Sequence, residues 1–382
     1  MIRHKQPKWG LLFSGDKLSM DDVVRFARMA EDAGAESLWT AELWRDAFVP
    51  LTAIAGVARD VRVGTAVAHF ARPPMLTELA AMSLAEYTGG RFVLGLGTAP
   101  KEWNENWHGL EYRRPVERMR EYIECIRAMW TSGPEKSVSY DGEFYKVKDY
   151  RRLMAPTYER VPIYLAAVLP QMIRLAGSHA DGMIINVLNT PRYFTELVHP
   201  NLKKGLNASD RSPDDFELCA VKCCAVNKDR KRARSLARHA VCFYATIPYF
   251  DAVLDPAGFA EPKMAIRAAM RRGDVSAMLN AVTEDMIDSL VLAGTPDDVH
   301  RQLQKFEGLF ETLLLLSPSF AADPEEVRAN HQAMIEASPQ RVPMLLSPAS
   351  ASTHGPAVAN NAATDCTECI RPASCEANHG LA

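Results

Sequence analysis

The sequence predicts an α/β protein built as a (β/α)8 TIM barrel. Three observations carry that expectation. Short apolar runs alternate with amphipathic helical stretches along residues 9–316. The repeats number about eight, each near the roughly 30 residues that a βαβ unit needs. Phe92, Val93, Leu94 and Leu96 form a near-continuous apolar run, as expected of a parallel strand covered on both faces. An open, doubly wound sheet is the alternative architecture.

Residues 9–13 read as the first strand. A helix over 21–33 follows, with Val23, Val24, Phe26, Ala27 and Ala30 at helical spacing and Gly34 ending it. Residues 37–40 are the second strand and 51–58 a helix. Residues 61–68 are the third strand, and 77–88 a helix capped by Thr77. Residues 91–96 are the fourth strand. The segment GGRFVLGLGTAP then runs into a turn where Gly95 and Gly97 let a ligand approach the backbone. Thr98 adds a hydroxyl and a free N–H, and such a loop at a strand's carboxyl end is where α/β proteins place phosphates. It is not a dinucleotide fingerprint. Pro100 stands at the third glycine position, and the next helix is expected near Pro115.

A helix over 115–130 has Val116, Met119, Ile123, Ile126 and Trp130 on one face, with Pro115 in its first turn. A small β excursion over 138–147 carries the turn signal Asp141-Gly142. The alternation resumes with a strand at 163–168, a helix at 170–179, a strand at 182–188 and a partly helical stretch at 191–206. A strand at 216–226 and a helix at 230–246 follow. Residues 247–280 fit no repeat and read as an insertion before the last one. A helix over 297–309, after Gly294-Thr295-Pro296, and a strand at 312–316 complete the barrel. The barrel domain is expected to span 1–342. Residues 343–382 are a low-complexity tail, too poor in large apolar groups to offset ordering and so expected to be disordered.

Of the 382 residues, 47% are hydrophobic and 24% charged, as in a globular enzyme. The net charge of −3 offers nothing to nucleic acid or an anionic membrane. No apolar run is long enough to span a bilayer, and the start of the chain lacks a signal-peptide core, so a cytoplasmic protein is expected. Cys125, Cys219, Cys223, Cys224 and Cys242 lie in apolar patterns and are expected to be buried thiols. Cys366, Cys369, Cys375 and His379 have a loose zinc-like spacing in the tail. With one close pair in a low-complexity segment, no metal is expected.

In such a barrel, chemistry sits where strands end. The candidates are Ser14, Glu42 to Arg45, Ala66 to Phe70, Thr98 to Trp107, Ala167 to Leu169, Asn186, Lys222 to Asn227 and Ser317. No Ser-His-Asp, H-E-x-x-H or Walker signature is present. Glu42 and His69 are the candidates for catalytic work. Trp44, Phe70, Trp103, Trp107 and Asn186 are the candidate substrate pocket. Each also has a plainer reading: Glu42 as a solvated carboxylate, His69 as a structural histidine, and the tryptophans as lid packing. A site so short of acids and bases suits a cofactor that brings its own chemistry, with hydride transfer the natural reaction. The basic run over 228–238 reads as a solvated helix face, with a dock for an acidic cofactor tail as the alternative.

Residues 8–320 resemble the luciferase-like monooxygenase superfamily. Within it they look closest to the coenzyme F420-dependent branch that includes methylenetetrahydromethanopterin reductase. The segments SLWTAELWRDAFVPLTAIA (37–55), VRVGTAVAHFARPPMLTELAAMSLAEYTGGRFVLGLGTAP (61–100), WHGLEYRRPVERMREYIECIRAMW (107–130) and VPIYLAAVLPQMIRLAGSHADGMIIN (161–186) carry the likeness. AGTPDDV (293–299) and ETLLLLSP (311–318) close it. The resemblance implies a non-covalent coenzyme F420, with FMN the alternative, and a homodimer. It assigns cofactor contacts to Glu42 after strand two, to Ala66 and Val67 after strand three, to Gly97, Thr98 and Ala99, and to Ala167, Val168 and Leu169; His69 is a further candidate cofactor contact. It also implies a non-prolyl cis bond between Ala66 and Val67. The sugar-phosphate dehydrogenases of this group pair a His with a Glu where this chain has Leu43 and Pro100, so that chemistry is not expected. The expected activity is hydride transfer between the deazaflavin and a small organic substrate. The alternatives are an FMN-dependent monooxygenase and a non-catalytic flavin-binding protein.

Overall fold

Eight parallel strands close on themselves, as the repeat pattern requires. The computed structural model describes residues 7–14 and 17–338. The expected boundary at 342/343, the tail and its cysteines lie outside the described residues. The barrel strands are β1 (Lys8–Phe13), β2 (Ser37–Thr40), β3 (Arg62–Thr65), β4 (Phe92–Gly97), β5 (Ile163–Ala167), β6 (Gly182–Ile185), β7 (Glu217–Val226) and β8 (Thr312–Leu316). Each pairs in parallel with its sequence neighbours, and β8 returns to β1 with Thr312 opposite Lys8. This closure is a TIM barrel, and it removes the open-sheet alternative. Ala68–His69 adds to β4, and Leu292–Gly294 pairs with the end of β7.

The helices α1 (Met20–Asp32), α2 (Phe48–Val57), α3 (Pro74–Tyr87), α4 (Lys101–Trp107) and α5 (Pro115–Trp130) follow the first four strands. Ser19 and Asp22 form a reciprocal capping box that starts α1. Two expectations fail here. Thr77 does not cap α3, which begins at Pro74; Thr77 is buried, and its hydroxyl shares a 2.6 Å hydrogen bond with that of Tyr122 on α5. A helix does follow Pro100 at once. It has no side-chain N-cap, and Asn104 in its first turn donates back to the carbonyls of Thr98 and Pro100 at 2.7 and 2.9 Å. The hairpin Val138–Asp141/Lys146–Tyr150 docks on α5 because Glu121 accepts the N–H groups of Glu143 and Phe144.

Past β7, the expected insertion packs as short helices ending at Ala260–Arg271 and Val275–Asn280. The helix expected at 297–309 is Pro296–Gln304, started by a Thr295/Asp298 capping box. A further helix, Pro324–Glu336, follows β8.

The barrel interior is packed. The Trp39 ring takes the space over Gly64, where a Cβ would lie 2.4 Å from it, and meets Tyr164 at 6.1 Å. Deeper, Arg62 makes two bonds to Glu217 at 2.6 and 2.7 Å, with Tyr164 and Thr312 donating to the same carboxylate. Burial raises the Glu217 pKa, but the Arg62 bonds and charge outweigh it and hold the group at about 2. That end of the barrel is sealed by a satisfied ion pair. The five described cysteines are buried free thiols, as expected.

Candidate active site

The carboxyl ends of the strands form the site, and β2 to β5 build one side of it. The Ala66–Val67 bond is cis, as the resemblance implies. Ala66 and Val67 are half-buried between fully buried neighbours, so they present a small apolar shelf at the mouth. Gly97 ends β4 directly against this shelf. A Cβ there would lie 2.4 Å from Val67 Cγ2 and 3.7 Å from the Ala166 Cβ. The structure therefore brings Ala66, Val67, Gly97 and the end of β5 together.

Beyond Gly97 the backbone turns through Ala99, whose φ of 55° is left-handed. The N–H groups of Thr98, Ala99, Val168 and Leu169 have no acceptor among the described residues. Successive unpaired N–H groups in such a turn make an anion-binding concavity. The Thr98 hydroxyl is directed at the Tyr112 phenol oxygen, a neighbour that nothing in the sequence marks. Ala167 is buried, and the Val168 carbonyl accepts the Tyr193 hydroxyl at 2.6 Å.

Glu42 is neither solvated nor open. One oxygen accepts the His69 backbone N–H at 2.8 Å, and the other accepts Arg72 Nη1 at 2.9 Å. Arg72 also bonds Asp46 at 2.8 Å, and these two carboxylates make Arg72 the latch of the β2 and β3 loops. Nothing in the sequence singled out Arg72. His69 is 7% exposed, and burial, with the charge of His108 behind it, pushes its imidazole down to about 4. At neutral pH it is uncharged.

Trp44, Trp103 and Trp107 come together as a ladder of rings at the rim, with centroids 6.0 and 4.9 Å apart. Phe70 does not join them. It is fully buried beneath the mouth, beside Tyr112 and Arg118. Asn186 sits on the far side near Tyr193, its Oδ1 accepting the Leu188 N–H and its Nδ2 buried without a partner.

A cavity of about 270 Å3 lies at the ends of β1, β2, β7 and β8, across the mouth from the shelf. Trp44, Phe243, Tyr244 and Phe320 give it ring walls, and Ser14, Cys223 and Ser317 its small polar groups. Ser14, Cys223 and Ser317 follow from the strand-end rule. Phe243 and Tyr244 sit near the end of the helix Arg230–Ala245, where no sequence signal marks them. Burial pushes the Cys223 thiol up to about 12, so it stays neutral. Among the described residues no carboxylate lines this cavity.

In the basic run over 228–238, Lys228, Arg230, Lys231 and Arg232 are exposed, as a solvated face requires, and several of its arginines are ion-paired. Arg230 pairs with Asp298, Arg234 with Glu284 and Asp288, and Arg238 with Glu284. Among the described residues no group of three or more His, Cys, Asp or Glu side chains stands together as metal ligands would.

Known proteins share this fold. The 5,10-methylenetetrahydromethanopterin reductase of Archaeoglobus fulgidus is 33% identical over 307 residues, covering 78% of this chain and 89% of that one. The solved coenzyme F420-dependent tetrahydromethanopterin reductase of Methanopyrus kandleri superposes with a TM-score of 0.74 at 24% identity, over 86% of this chain and 98% of that one. An F420-dependent secondary alcohol dehydrogenase, solved with an F420–acetone adduct, shares the fold with a TM-score of 0.70 at 18% identity, over 89% and 100%. The luciferase-like monooxygenase family model matches residues 10–313. The chain belongs to the luciferase-like monooxygenase family.

Proposed function

We propose that this protein is a coenzyme F420-dependent oxidoreductase that transfers a hydride between the deazaflavin and a small organic substrate. The observation that carries the reading is the pairing of the Ala66–Val67 shelf with the unpaired N–H groups of Thr98, Ala99, Val168 and Leu169. A flat ring and a phosphate fit those two features. The loop has no arginine to grip a phosphate dianion, as FMN requires, whereas a phosphodiester needs only the N–H groups. The F420-dependent reductase and the F420-dependent alcohol dehydrogenase that share the fold support the same reading.

When bound, the deazaflavin supplies the carbon that gives or takes the hydride. The chain's residues do the rest. Ala66 and Val67 would back the ring, and Glu42 and Arg72 hold the shelf in shape. His69, neutral and buried, keeps charge away from it. The cavity at Cys223 and Ser317 receives the substrate, and the tryptophan ladder covers the rim and excludes water.

The same reading makes the protein a cytoplasmic homodimer whose barrel domain spans 1–342. Buried free thiols suit a reducing compartment. Among the described residues, no helix is long and apolar enough to cross a membrane. For the dimer, α2 and α3 pack side by side, Tyr87 reaching Gly56, and leave Val49, Met75, Leu76 and Leu79 exposed. Helices apolar on their outer face want a partner, and an isologous contact with a second copy is the commonest solution.

Fluorescence titration with reduced coenzyme F420 and with FMN tests the assignment. Micromolar or tighter binding of the deazaflavin, with FMN much weaker, is expected. Tighter FMN binding with oxygen-dependent turnover would reverse it in favour of a monooxygenase.

A further inference from the structure

A second cavity, of about 650 Å3, opens on the flank of the barrel away from the strand-end cavity, and no step proposed above uses it. It lies between the start of the 191–198 helical stretch, the 252–257 part of the insertion, and the segment 288–306. Its size is that of small-molecule sites, roughly 300–1,000 Å3. Leu197, Val253, Leu292 and Phe306 give it an apolar body.

The cavity has a rigid frame. Lys222, on the outward face of β7, is buried directly behind Phe306, with Nζ 4.4 Å from the ring centroid. It donates to the carbonyls of Asn189 and Leu290 at 2.8 and 2.9 Å. Those residues adjoin Thr190 and Val291, which both line the space. A buried amine is costly unless it is hydrogen-bonded. Here its bonds tie two lining segments to β7, so the cavity does not depend on a ligand to hold it open.

The charges at the rim are unequal. Arg192 is committed to Glu196 and to the Pro256 carbonyl, both at 2.8 Å. Asp288 is committed to Arg234. Lys305 lines the same cavity and makes no ion pair among the described residues. One cation is therefore left over an apolar body.

We propose that this flank cavity is a second small-molecule site that takes an amphipathic monoanion, its apolar body against Phe306 and Val253 and its carboxylate on Lys305. The site has a structural route to the cofactor loop, since Tyr193 in its wall donates to the Val168 carbonyl.

Isothermal titration of the full-length protein with decanoate, and with decanol as the neutral probe, tests the proposal. One saturable decanoate site per chain is expected, with decanol weaker by roughly tenfold or more, the scale of a hydrogen bond to a charged group. Lys305→Glu is expected to weaken decanoate by a similar factor and to leave decanol unchanged. Val253→Trp fills the cavity and is expected to abolish both. Lys305 is exposed, so its variant reads out even where the tryptophan disturbs folding. No saturable binding, decanol as tight as decanoate, or decanoate binding unchanged in Lys305→Glu would each overturn the proposal. Cofactor binding is measured separately, so this result is independent of the function proposed above.

Discussion

Glu42 accepts the backbone N–H of His69 at 2.8 Å, so the end of β2 holds the chain just past the cis bond after β3. The carboxylate shapes the shelf from behind. Glu42→Ala removes that hold and leaves Arg72 with Asp46 alone. Coenzyme F420 binding is expected to weaken by about 1–3 kcal/mol, the cost of losing a buried charged hydrogen bond. Glu42→Gln keeps an acceptor and should lose less. Fluorescence titration measures both, and an unchanged affinity for the alanine variant would sink this role.

Gly95 and Gly97 both face crowded space, but of different kinds. A Cβ at Gly95 would lie 1.8 Å from the Thr65 carbonyl oxygen, which is backbone. A Cβ at Gly97 would meet the Val67 methyl, which can move at the expense of the shelf. Gly95→Ala is expected to destabilise the fold by about 3 kcal/mol or more, and Gly97→Ala by about 1–2 kcal/mol with a clear loss of cofactor affinity. Urea unfolding beside ligand titration separates the two, and the reverse order would contradict it.

His69 makes stability depend on acid. Its imidazole sits at about 4 in the folded chain, against an ordinary value of 6.5. Between those values the unfolded chain binds the extra proton, so stability falls as pH drops from 6.5 toward 4. The loss reaches about 3 kcal/mol across that window. His69→Gln should flatten the slope of urea stability against pH there. A slope equal to that of the parent protein would assign the effect elsewhere.

Leu76→Glu and Leu79→Glu place charge on the exposed apolar face of α3. Both are expected to give a monomer where the parent is a dimer, read by sedimentation velocity at micromolar concentration. A parent that sediments as a monomer would remove the interface.

Removing residues 347–382 is expected to change stability by less than about 1 kcal/mol, the scale of surface changes. Loss of cofactor binding or of a stoichiometric zinc with that segment would contradict this.

Strong periodicity made much of the barrel legible. The run TLLLL is β8 with its expected ends, and α5 has its expected ends and first-turn proline, with Met119, Ile123, Ile126 and Trp130 buried and Val116 half-buried. Local signals misled where tertiary contacts took over. Thr77 looks like a cap, but Tyr122 claims its hydroxyl inside the fold. Helix α4 has no side-chain N-cap to announce it, since Pro100 stands at that position, and the Asn104 amide ties the turn to the Thr98 and Pro100 carbonyls instead. At the site, strand-end position revealed Cys223 and Ser317, while Arg72 and Phe243 matter only through partners distant in sequence.

The strand β7 is ten residues long, and side chains alternate along it. Glu217 closes the sealed end inside the barrel, Cys223 reaches the open end on the same side, and Lys222 points the opposite way to brace the flank cavity. A one-residue slip would turn the lysine inward and the carboxylate outward. One ruler thus sets three places at once, and the flank and the mouth keep or lose their geometry as a unit.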